Sequence, residues 1–397
     1  MTAARALSAV AAGPVRRTRR TLADGREILY FDEPGTPPRT ASDDRELGER
    51  SRAGELRLDA LTGDWVTIAG HRSDRTFLPP ADACPLCPTG RGTVPSEVPE
   101  ADYDVVVFEN RFPSFASGTS DVPDVPDPIG VPDPAPAGPA GRGASLHALR
   151  PARGRCEVVA FTSDHEGSIS ALPPSRVRTV VEAWADRTAE LSARPDVEHV
   201  FCFENRGVQI GVTLHHPHGQ IYAYPYVPAR AEAVLRQARR HHAATGRTLG
   251  EDLLEAERAA GVRMVLEGRH WSAYVPFAAR WPVEVHLVPH RDVPDLAALD
   301  GEERDELAVL YPELLGRLDR YYPAPGGEHV VMPYIAAWHQ APVHSPREVS
   351  RLHLQVFSVL RTPDRLKYLA GSESAAGAWV NDVSPEAIAH RLREVAT

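Results

Sequence analysis

The chain has few cysteines, no long apolar run and no excess of positive charge. Four cysteines among 397 residues are too few for the disulfide framework of a small secreted protein. No apolar segment is long enough to cross a bilayer, and the short apolar stretch near the N-terminus precedes its arginines, unlike a secretory signal. The formal net charge of -10 disfavours nucleic acid or an anionic membrane as the main partner. We therefore expect a cytoplasmic protein.

The composition is that of an ordinary globular protein, with 42% hydrophobic and 25% charged residues, and the length suggests two or three domain-sized units. Residues 1–52 are rich in Arg, Ala and Pro, which predicts a flexible N-terminal arm, although "EILYFDE" could dock as a short extended segment. Residues 117–154 are so rich in proline that they are predicted to form an inserted surface loop.

The remaining sequence contains a faint internal repeat. Strand-like "CEVVAFTSDH" precedes helix-like "PSRVRTVVEAWADRTAELSA", and strand-like "VEVHLVPH" precedes helix-like "GEERDELAVLYPELLGRLDRYY". Each pair is followed by another strand and a segment that carries histidine. The pattern favours a duplicated α+β module over residues 53–230 and 231–397, with a mainly antiparallel sheet and helices packed on one face. Chance similarity between two ordinary strand–helix pairs remains the alternative.

Cys84 and Cys87 form a C-x-x-C turn in "CPLCPTG", which is typical of a metal site, a redox pair or neither. Zinc would need two further ligands, usually imidazoles. His165 and His216 are plausible candidates, although only the fold could bring them to the turn. The other two cysteines, Cys156 and Cys202, lie in apolar runs and are interpreted as small core residues.

The stretch "LHHPHGQIYAY" concentrates imidazole around one proline. Pro217 favours an extended backbone at His216, so that His216, His218 and Gln220 would share one face. One imidazole could then hold a metal, the next could act as a nucleophile, and the amide could bind an oxygen of the electrophile. A second metal ligand or a hydrogen-bonded core histidine explains the same pattern.

"HPHGQ" resembles the active-site signature of the galactose-1-phosphate uridylyltransferases, a branch of the histidine triad superfamily. Other segments resemble that family in the same order, over about residues 55–375: "RLDALTGDWVTIAGHRSDR", "CPLCPTG", "VVVFENRFPSF", "GRCEVVAFTSDH", "FENRGVQIGVTLHHPHGQIYA", "WSAYVPFAARWPVEVHLVPH" and "LKYLAGSE". The resemblance implies two histidine-triad-like modules, of which the N-terminal one carries the zinc turn and the active site, and the C-terminal one is degenerate.

The resemblance also implies residue roles. Zn²⁺ would be bound by Cys84, Cys87, His165 and His216. The uridylyl group would be carried by His218, with Gln220 binding a phosphoryl oxygen. Substrate phosphates, nucleotide and sugar would be contacted by Arg72, Arg75, Asn110, Asn205, Thr213, Lys367 and Glu373. In the family the last two reach into the neighbouring subunit, which implies a homodimer with shared active sites.

The implied activity is a ping-pong transfer of UMP. His218 would attack UDP-glucose and release glucose 1-phosphate, and galactose 1-phosphate would then take the group to give UDP-galactose. The alternatives are a related nucleotidyltransferase or phosphorylase acting on an ADP-sugar or a dinucleoside polyphosphate, and a zinc-stabilised nucleic-acid-binding module. The acidic balance argues against the last of these.

The chain departs from the family at a second, iron-type site that some members carry. His339 and His353 match two of its histidines, whereas Gln355 stands at the third and Val234 falls near the position of its glutamate. We therefore expect no iron, because two imidazoles are a thin ligand set for that ion. Gln355 is also predicted to occupy the position of the nucleophile in the second repeat, and Ser372 replaces a tyrosine found in some members.

Overall fold

The computed structural model describes residues 13–48, 54–74, 77–92, 95–117, 122–125, 146–323 and 329–396. The strands are β1 (Arg16–Thr21), β2 (Glu27–Asp32), β3 (Glu55–Asp59), β4 (Asp64–Ile68), β5 (Val105–Glu109), β6 (Leu149–Pro151), β7 (Arg155–Ala160), β8 (His199–Arg206), β9 (His218–Tyr224), β10 (Met264–Glu267), β11 (Trp271–Tyr274), β12 (Val283–Pro289), β13 (Tyr334–His339), β14 (His353–Ser358), β15 (Leu360–Thr362) and β16 (Arg365–Leu366). The helices are α1 (Pro174–Ser192), α2 (Ala229–Thr245), α3 (Leu249–Ala260), α4 (Gly301–Asp319), α5 (Gly371–Ala376) and α6 (Pro385–Glu394).

Eleven strands form one antiparallel sheet in the order β1-β2-β5-β7-β9-β8-β13-β14-β12-β11-β10. The order is symmetric about the β8–β13 pair: β7-β9-β8 on one side corresponds to β12-β14-β13 on the other. Along the chain, one long helix joins the first two strands of each half, as the sequence repeat predicted. Helix α1 lies between β7 and β8, and α4 lies between β12 and β13. The predicted α+β class with a duplicated module is therefore confirmed.

The main core lies between the sheet and helices α1, α4 and α6. Val159 and Ile221 from the strands and Trp184 from α1 are buried there with at most 1% of their surface exposed. Helix α4 begins with a capping box, in which Asp300 and Glu303 bond each other's backbone N–H groups. Cys156 and Cys202 are fully buried, which confirms them as core residues.

Helices α2 and α3 cover part of the opposite face, where Leu254 of α3 packs against Tyr274 and Val288. The expectation that helices pack on one face therefore holds for α1, α4 and α6, and is wrong for this pair. The C-x-x-C turn also lies on the opposite face, against Val158 and Ala160 of β7. None of the helices in the described part of the chain is long and apolar enough to cross a membrane.

The predicted flexible arm is wrong for most of residues 1–52. Strand β2 pairs with β5 and buries its residues from Ile28 to Asp32, so "EILYFDE" is part of the main sheet. Arg26, 2% exposed, donates to the carbonyl of Glu109 over 2.9 Å and to the carboxylate of Glu97 over 2.5 Å. The arginine-rich composition misled because β1 is an edge strand whose side chains are mostly exposed. Residues 1–12 and 49–52 lie outside the described residues.

Most of the predicted proline-rich loop, residues 126–145, also lies outside the described residues. At its end the loop prediction is wrong, because β6 (Leu149–Pro151) pairs with β3 in a small three-stranded sheet with β4. This sheet packs through Leu56 and Trp65 near Tyr222 and Tyr224 of β9, so it supports the strand that carries the site.

Candidate active site and metal centre

His218 is the first residue of β9 and lies opposite Ala160 of β7. Its Nδ1 is 2.7 Å from the carbonyl oxygen of His216, so Nδ1 carries the proton and donates to that oxygen. Nε2 is then left with its lone pair. Burial lowers the pKa of His218, which keeps the ring neutral near pH 7. A neutral, oriented imidazole with a free nitrogen is a competent nucleophile.

Gly219 is needed for packing beneath the site. A Cβ at this position would meet the ring of Phe161 at 2.8 Å and the carbonyl oxygen of Phe203 at 2.9 Å. Phe161 belongs to the core on the helix side of the sheet. The glycine is therefore explained by close packing against a side chain of the interior.

A cavity of about 460 Å³ opens beside His218, and a smaller hollow of about 150 Å³ adjoins it. Both are lined by His218, Gln220, Arg72 and Thr213. Asn110 lines the larger one and Asn205 the smaller one. The fold therefore brings together six of the predicted residues from four separate segments. Such a volume is within the range of small-molecule sites.

Arg72 is held in place by three oxygen atoms. Its Nη1 donates to the carbonyl of Phe112 over 3.2 Å, to Oγ of Ser114 over 2.6 Å and to the hydroxyl of Tyr222 over 3.3 Å. The guanidinium is thus oriented at the rim of the cavity, as a phosphate ligand requires. Arg75 lies outside the described residues.

Sequence reasoning missed several residues of this site. Tyr222 continues the alternation of His218 and Gln220 on one face of β9, so the strand period could have found it. Arg45 lines the larger cavity, but it was assigned to the flexible arm. Arg111 also lines the larger cavity and follows the predicted Asn110 directly.

The four predicted metal ligands converge. The ligand atoms of Cys84, Cys87, His165 and His216 all lie within 4.8 Å of one another, and they form the one such group found among the described residues. Sγ of Cys87 is 3.3 Å from Nδ1 of His165 and 3.5 Å from Nδ1 of His216. His165 follows β7, which ends at Ala160, so the strand and the C-x-x-C turn meet over a long chain separation.

The chemistry of this group fits a divalent metal ion. Burial and the neighbouring Cys84 raise the pKa of the Cys87 thiol to about 12, so a thiolate there needs a cation beside it. Burial lowers the pKa of His216 to about 4, which leaves the imidazole in its neutral ligand form. Nε2 of His216 lies 2.7 Å from the carbonyl oxygen of Thr162 and 2.9 Å from the hydroxyl of Tyr103. These contacts direct Nδ1 toward the cysteines, as outer hydrogen bonds do at metal sites.

Lys367 and Glu373 do not line either cavity beside His218. They pair with each other, Nζ to carboxylate, over 3.3 Å. The Lys367 ammonium also donates to the carbonyl of Val380. Ser372 lies on the same short helix, α5, and its hydroxyl donates to the carbonyl of Ala378. These residues form a compact corner after β16.

A second imidazole cluster lies in the C-terminal module. The rings of His339 and His353 stack with centroids 4.7 Å apart, and His286, which sequence reasoning missed, lies 5.3 Å from His353. Gln355 accepts from Nε2 of His339 over 3.1 Å and donates to Glu284 over 2.6 Å. The absence of iron remains a prediction.

The strand register identifies the counterpart of His218. Phe203 lies opposite Ala337 in the β8–β13 pair, Phe203 pairs with Gln220, and Ala337 pairs with Gln355. Strands β9 and β14 begin at His218 and His353, which places the symmetry axis at the Phe203–Ala337 pair and relates Gln220 to Gln355 and His218 to His353. The prediction that Gln355 occupies the position of the nucleophile is therefore wrong. The correct position is His353, the preceding residue on the same face of β14, and sequence similarity alone did not fix this register.

Two family models match the chain: galactose-1-phosphate uridyl transferase, N-terminal domain, over residues 45–228, and C-terminal domain, over residues 234–397. A galactose-1-phosphate uridylyltransferase of Streptomyces lividans is 44% identical over 96% of this chain and 98% of its own length. The Thermotoga maritima protein of that name is 35% identical over 86% and 98%, respectively.

Solved structures show the same similarity. The structure of a uridylyltransferase superposes with a TM-score of 0.71 at 30% identity, covering 86% of this chain and 98% of its own. An ADP-glucose phosphorylase from Arabidopsis thaliana superposes with a TM-score of 0.59 at 22% identity, over 87% and 99% of the two chains. At 22% identity, the similarity to the phosphorylase shows only that the two chains share a fold.

Proposed function

Because the chain belongs to the galactose-1-phosphate uridylyltransferase family, we propose that His218 carries the transferred group as a covalent uridylyl-histidine. The chain is an enzyme of uridylyl transfer between UDP-glucose and a hexose 1-phosphate. The observation that carries the proposal is the single hydrogen bond that fixes Nδ1 of His218 and leaves Nε2 free beside the cavity.

In the first half-reaction, Nε2 of His218 attacks the α-phosphorus of UDP-glucose. The N–P bond forms, the bond to the bridging oxygen breaks, and glucose 1-phosphate leaves with that electron pair. The positive charge that develops on the ring is stabilised by the donation from Nδ1 to the carbonyl of His216. In the second half-reaction, a phosphate oxygen of galactose 1-phosphate attacks the same phosphorus, and His218 leaves as the neutral imidazole.

The residues around His218 are assigned to positioning and charge stabilisation, which dominate phosphoryl transfer. Gln220 shares its face of β9 and would bind a non-bridging oxygen of the uridylyl group. Arg72 would neutralise phosphate charge, and Thr213 would donate its hydroxyl. Asn110 and Asn205 line the two ends of the space and would contact the nucleotide. Arg75 is assigned to the phosphates by family resemblance alone.

Cys84, Cys87, His165 and His216 would hold one zinc ion. Two thiolates and two imidazoles are a usual set for this ion, and four protein ligands make the site structural. When bound, zinc would supply rigidity to His216 and so to the carbonyl that orients His218. No step of the transfer uses it.

Lys367 and Glu373 are proposed to act in the site of a partner subunit. Their support is that both are ordered by their mutual pairing and that neither lines the cavity of its own chain. The protein would then be a homodimer with shared active sites. Its four cysteines are free thiols, which is consistent with the reducing cytoplasm as its compartment.

The direct test uses UDP-glucose labelled in the α-phosphate without a sugar-phosphate acceptor. Label should be trapped on the protein, with release of glucose 1-phosphate in an amount no greater than that of the enzyme. The adduct should be acid-labile and base-stable, as expected for an N–P bond. His218→Asn should abolish label and turnover.

His215→Asn is the matched control, because His215 is exposed and is neither a predicted metal ligand nor a cavity residue. This variant should still be labelled. Label on His218→Asn, or turnover of the wild type without any covalent species, would show that transfer is direct.

A further inference from the structure

The C-terminal module contains a second cavity, of about 390 Å³, on the same sheet face as the His218 cavity. Its floor includes His286, His339 and His353 of strands β12, β13 and β14, and helix α2 forms one wall. Since His353 is the symmetry counterpart of His218, the second cavity corresponds to the catalytic one. Nδ1 of His353 even faces the carbonyl oxygen of Arg351, at 3.3 Å, as His218 faces that of His216.

The second position lacks part of the catalytic arrangement. Gln355, the counterpart of Gln220, is not among the lining residues, because Glu284 and His339 hold its amide. The position beside His353 that corresponds to Gln220 therefore does not face the cavity. The cavity itself is nevertheless open.

The lining of the second cavity is rich in positive charge. Arg230, Arg280 and Arg351 line it, whereas none of the described lining residues is acidic. Arg230 has no ion pair among the described residues, and the guanidinium of Arg280 lies 5.5 Å from the ring of Trp379. Arg351 is paired with Asp292 over 3.2 Å, whereas Arg230 and Arg280 have no carboxylate partner among the described residues. Arginines of this kind that face one space indicate an anionic ligand.

Two deeply buried polar atoms also lack partners there. Nη1 of Arg351 has no hydrogen-bond partner among the described residues, and its side chain is 6% exposed. Nδ1 of His199 is also without a partner, and that residue is 3% exposed. Both residues line the cavity. Buried polar atoms normally have partners, so these two leave unsatisfied hydrogen-bonding capacity in the wall of the cavity.

The rest of the lining is apolar except for Gln237, Gln340, Ser350 and Tyr274. Val234 and Leu235 on α2, and Leu253 on α3, contribute hydrocarbon surface to the wall. The cavity thus combines a cationic end with an apolar side, which fits a phosphate group attached to an organic moiety.

We propose that this second cavity is a non-catalytic binding site for an organic phosphate. The arginines and imidazoles take the phosphate group, and the apolar wall of α2 and α3 takes the organic part. Both active-site substrates of the enzyme are organic phosphates, and UMP and glucose 1-phosphate are therefore suitable probes of the site.

Hydrogen exchange measured by mass spectrometry separates the two sites. UMP or glucose 1-phosphate should protect residues 229–245 and 349–353 as well as the catalytic strand at 213–224. In Arg230→Glu, protection at 229–245 should need roughly tenfold more ligand or more, because a charge-assisted hydrogen bond becomes a repulsion. Protection at 213–224 should be unchanged, which keeps this test independent of the covalent mechanism.

Arg240→Glu is the control, since Arg240 is exposed on the same helix and does not line the cavity. It should behave as the wild type. Protection confined to 213–224 in the wild type, or equal protection of 229–245 in wild type and Arg230→Glu, would overturn the proposal. Inorganic phosphate should protect less than either ester at the same concentration, and equal protection would remove the role assigned to the apolar wall.

Discussion

The carbonyl oxygen of His216 accepts a hydrogen bond from Nδ1 of His218 over 2.7 Å. Nδ1 of His216 in turn lies 3.5 Å from Sγ of Cys87. One residue therefore joins the metal-binding group to the proposed nucleophile. Any substitution that loosens the C-x-x-C turn should therefore slow the reaction, because it disturbs the orientation of His218.

The zinc proposal predicts about one zinc ion per chain. Cys84→Ser should lose most of it and lower both the melting temperature and the uridylylation rate, because metal binding contributes folding free energy. Metal analysis and calorimetry check this. Cys202→Ser removes a buried thiol far from the turn, and should keep the zinc. Metal-free wild type with an unchanged melting temperature would contradict the proposal.

Gln220→Ala should still form the uridylyl adduct, but more slowly. Losing one donor to a developing phosphoryl charge costs about 3 to 4 kcal/mol, or roughly 10²- to 10³-fold in rate. Rapid-quench labelling measures the first half-reaction alone. Gln209→Ala, whose exposed side chain lines neither cavity, should label at the wild-type rate. A normal rate for Gln220→Ala would remove the role assigned to its amide.

The shared-site proposal predicts complementation between inactive variants. Lys367 is the one lysine of the sequence, so Lys367→Met removes a unique group. Lys367→Met and His218→Asn should each be inactive as homodimers. Mixed dimers, made by co-expression, would contain one site with both functional residues and should regain activity. If the mixture stays as inactive as its parents while mixed dimers are detected by mass spectrometry, the two residues do not serve one site across subunits.

The burial of Glu204 predicts that the stability of the protein depends on pH. Burial raises its pKa to about 7, although the hydroxyls of Tyr334 and Tyr311 donate to it over 2.9 and 3.3 Å. The folded state therefore binds more protons than the unfolded state between the ordinary glutamate pKa and about 7, and stability falls as pH rises through that window. Above pH 7 the free energy of unfolding is lower by about 1.4 kcal/mol for each unit by which the pKa of Glu204 is raised.

Glu204→Gln should remove that loss. Its free energy of unfolding, from denaturant titrations at pH 5 and pH 8, should exceed that of the wild type only at the higher pH. Glu232→Gln changes an exposed glutamate and should follow the wild type at both. An equal effect of Glu204→Gln at the two pH values would show that its carboxyl is ionised throughout.

Local sequence signals determined much of this protein. The helix-like segments predicted where α1 and α4 begin, and the strand-like runs predicted β7, β8, β12 and β13. The C-x-x-C turn and "HPHGQ" pointed to the metal group and the nucleophile, because spacing within a turn or strand fixes which side chains share a face.

Only the tertiary structure decided what depends on contacts between distant segments. His165 meets Cys87 across 78 residues of sequence, Arg26 anchors an apparently irregular N-terminal segment to Glu97 and Glu109, and strand register selects His353 as the counterpart of His218. Sequence similarity does not fix register, since a small shift in alignment matches similar apolar patterns. The second cavity likewise exists only because α2 and α3 pack on the sheet face that the repeat itself leaves uncovered.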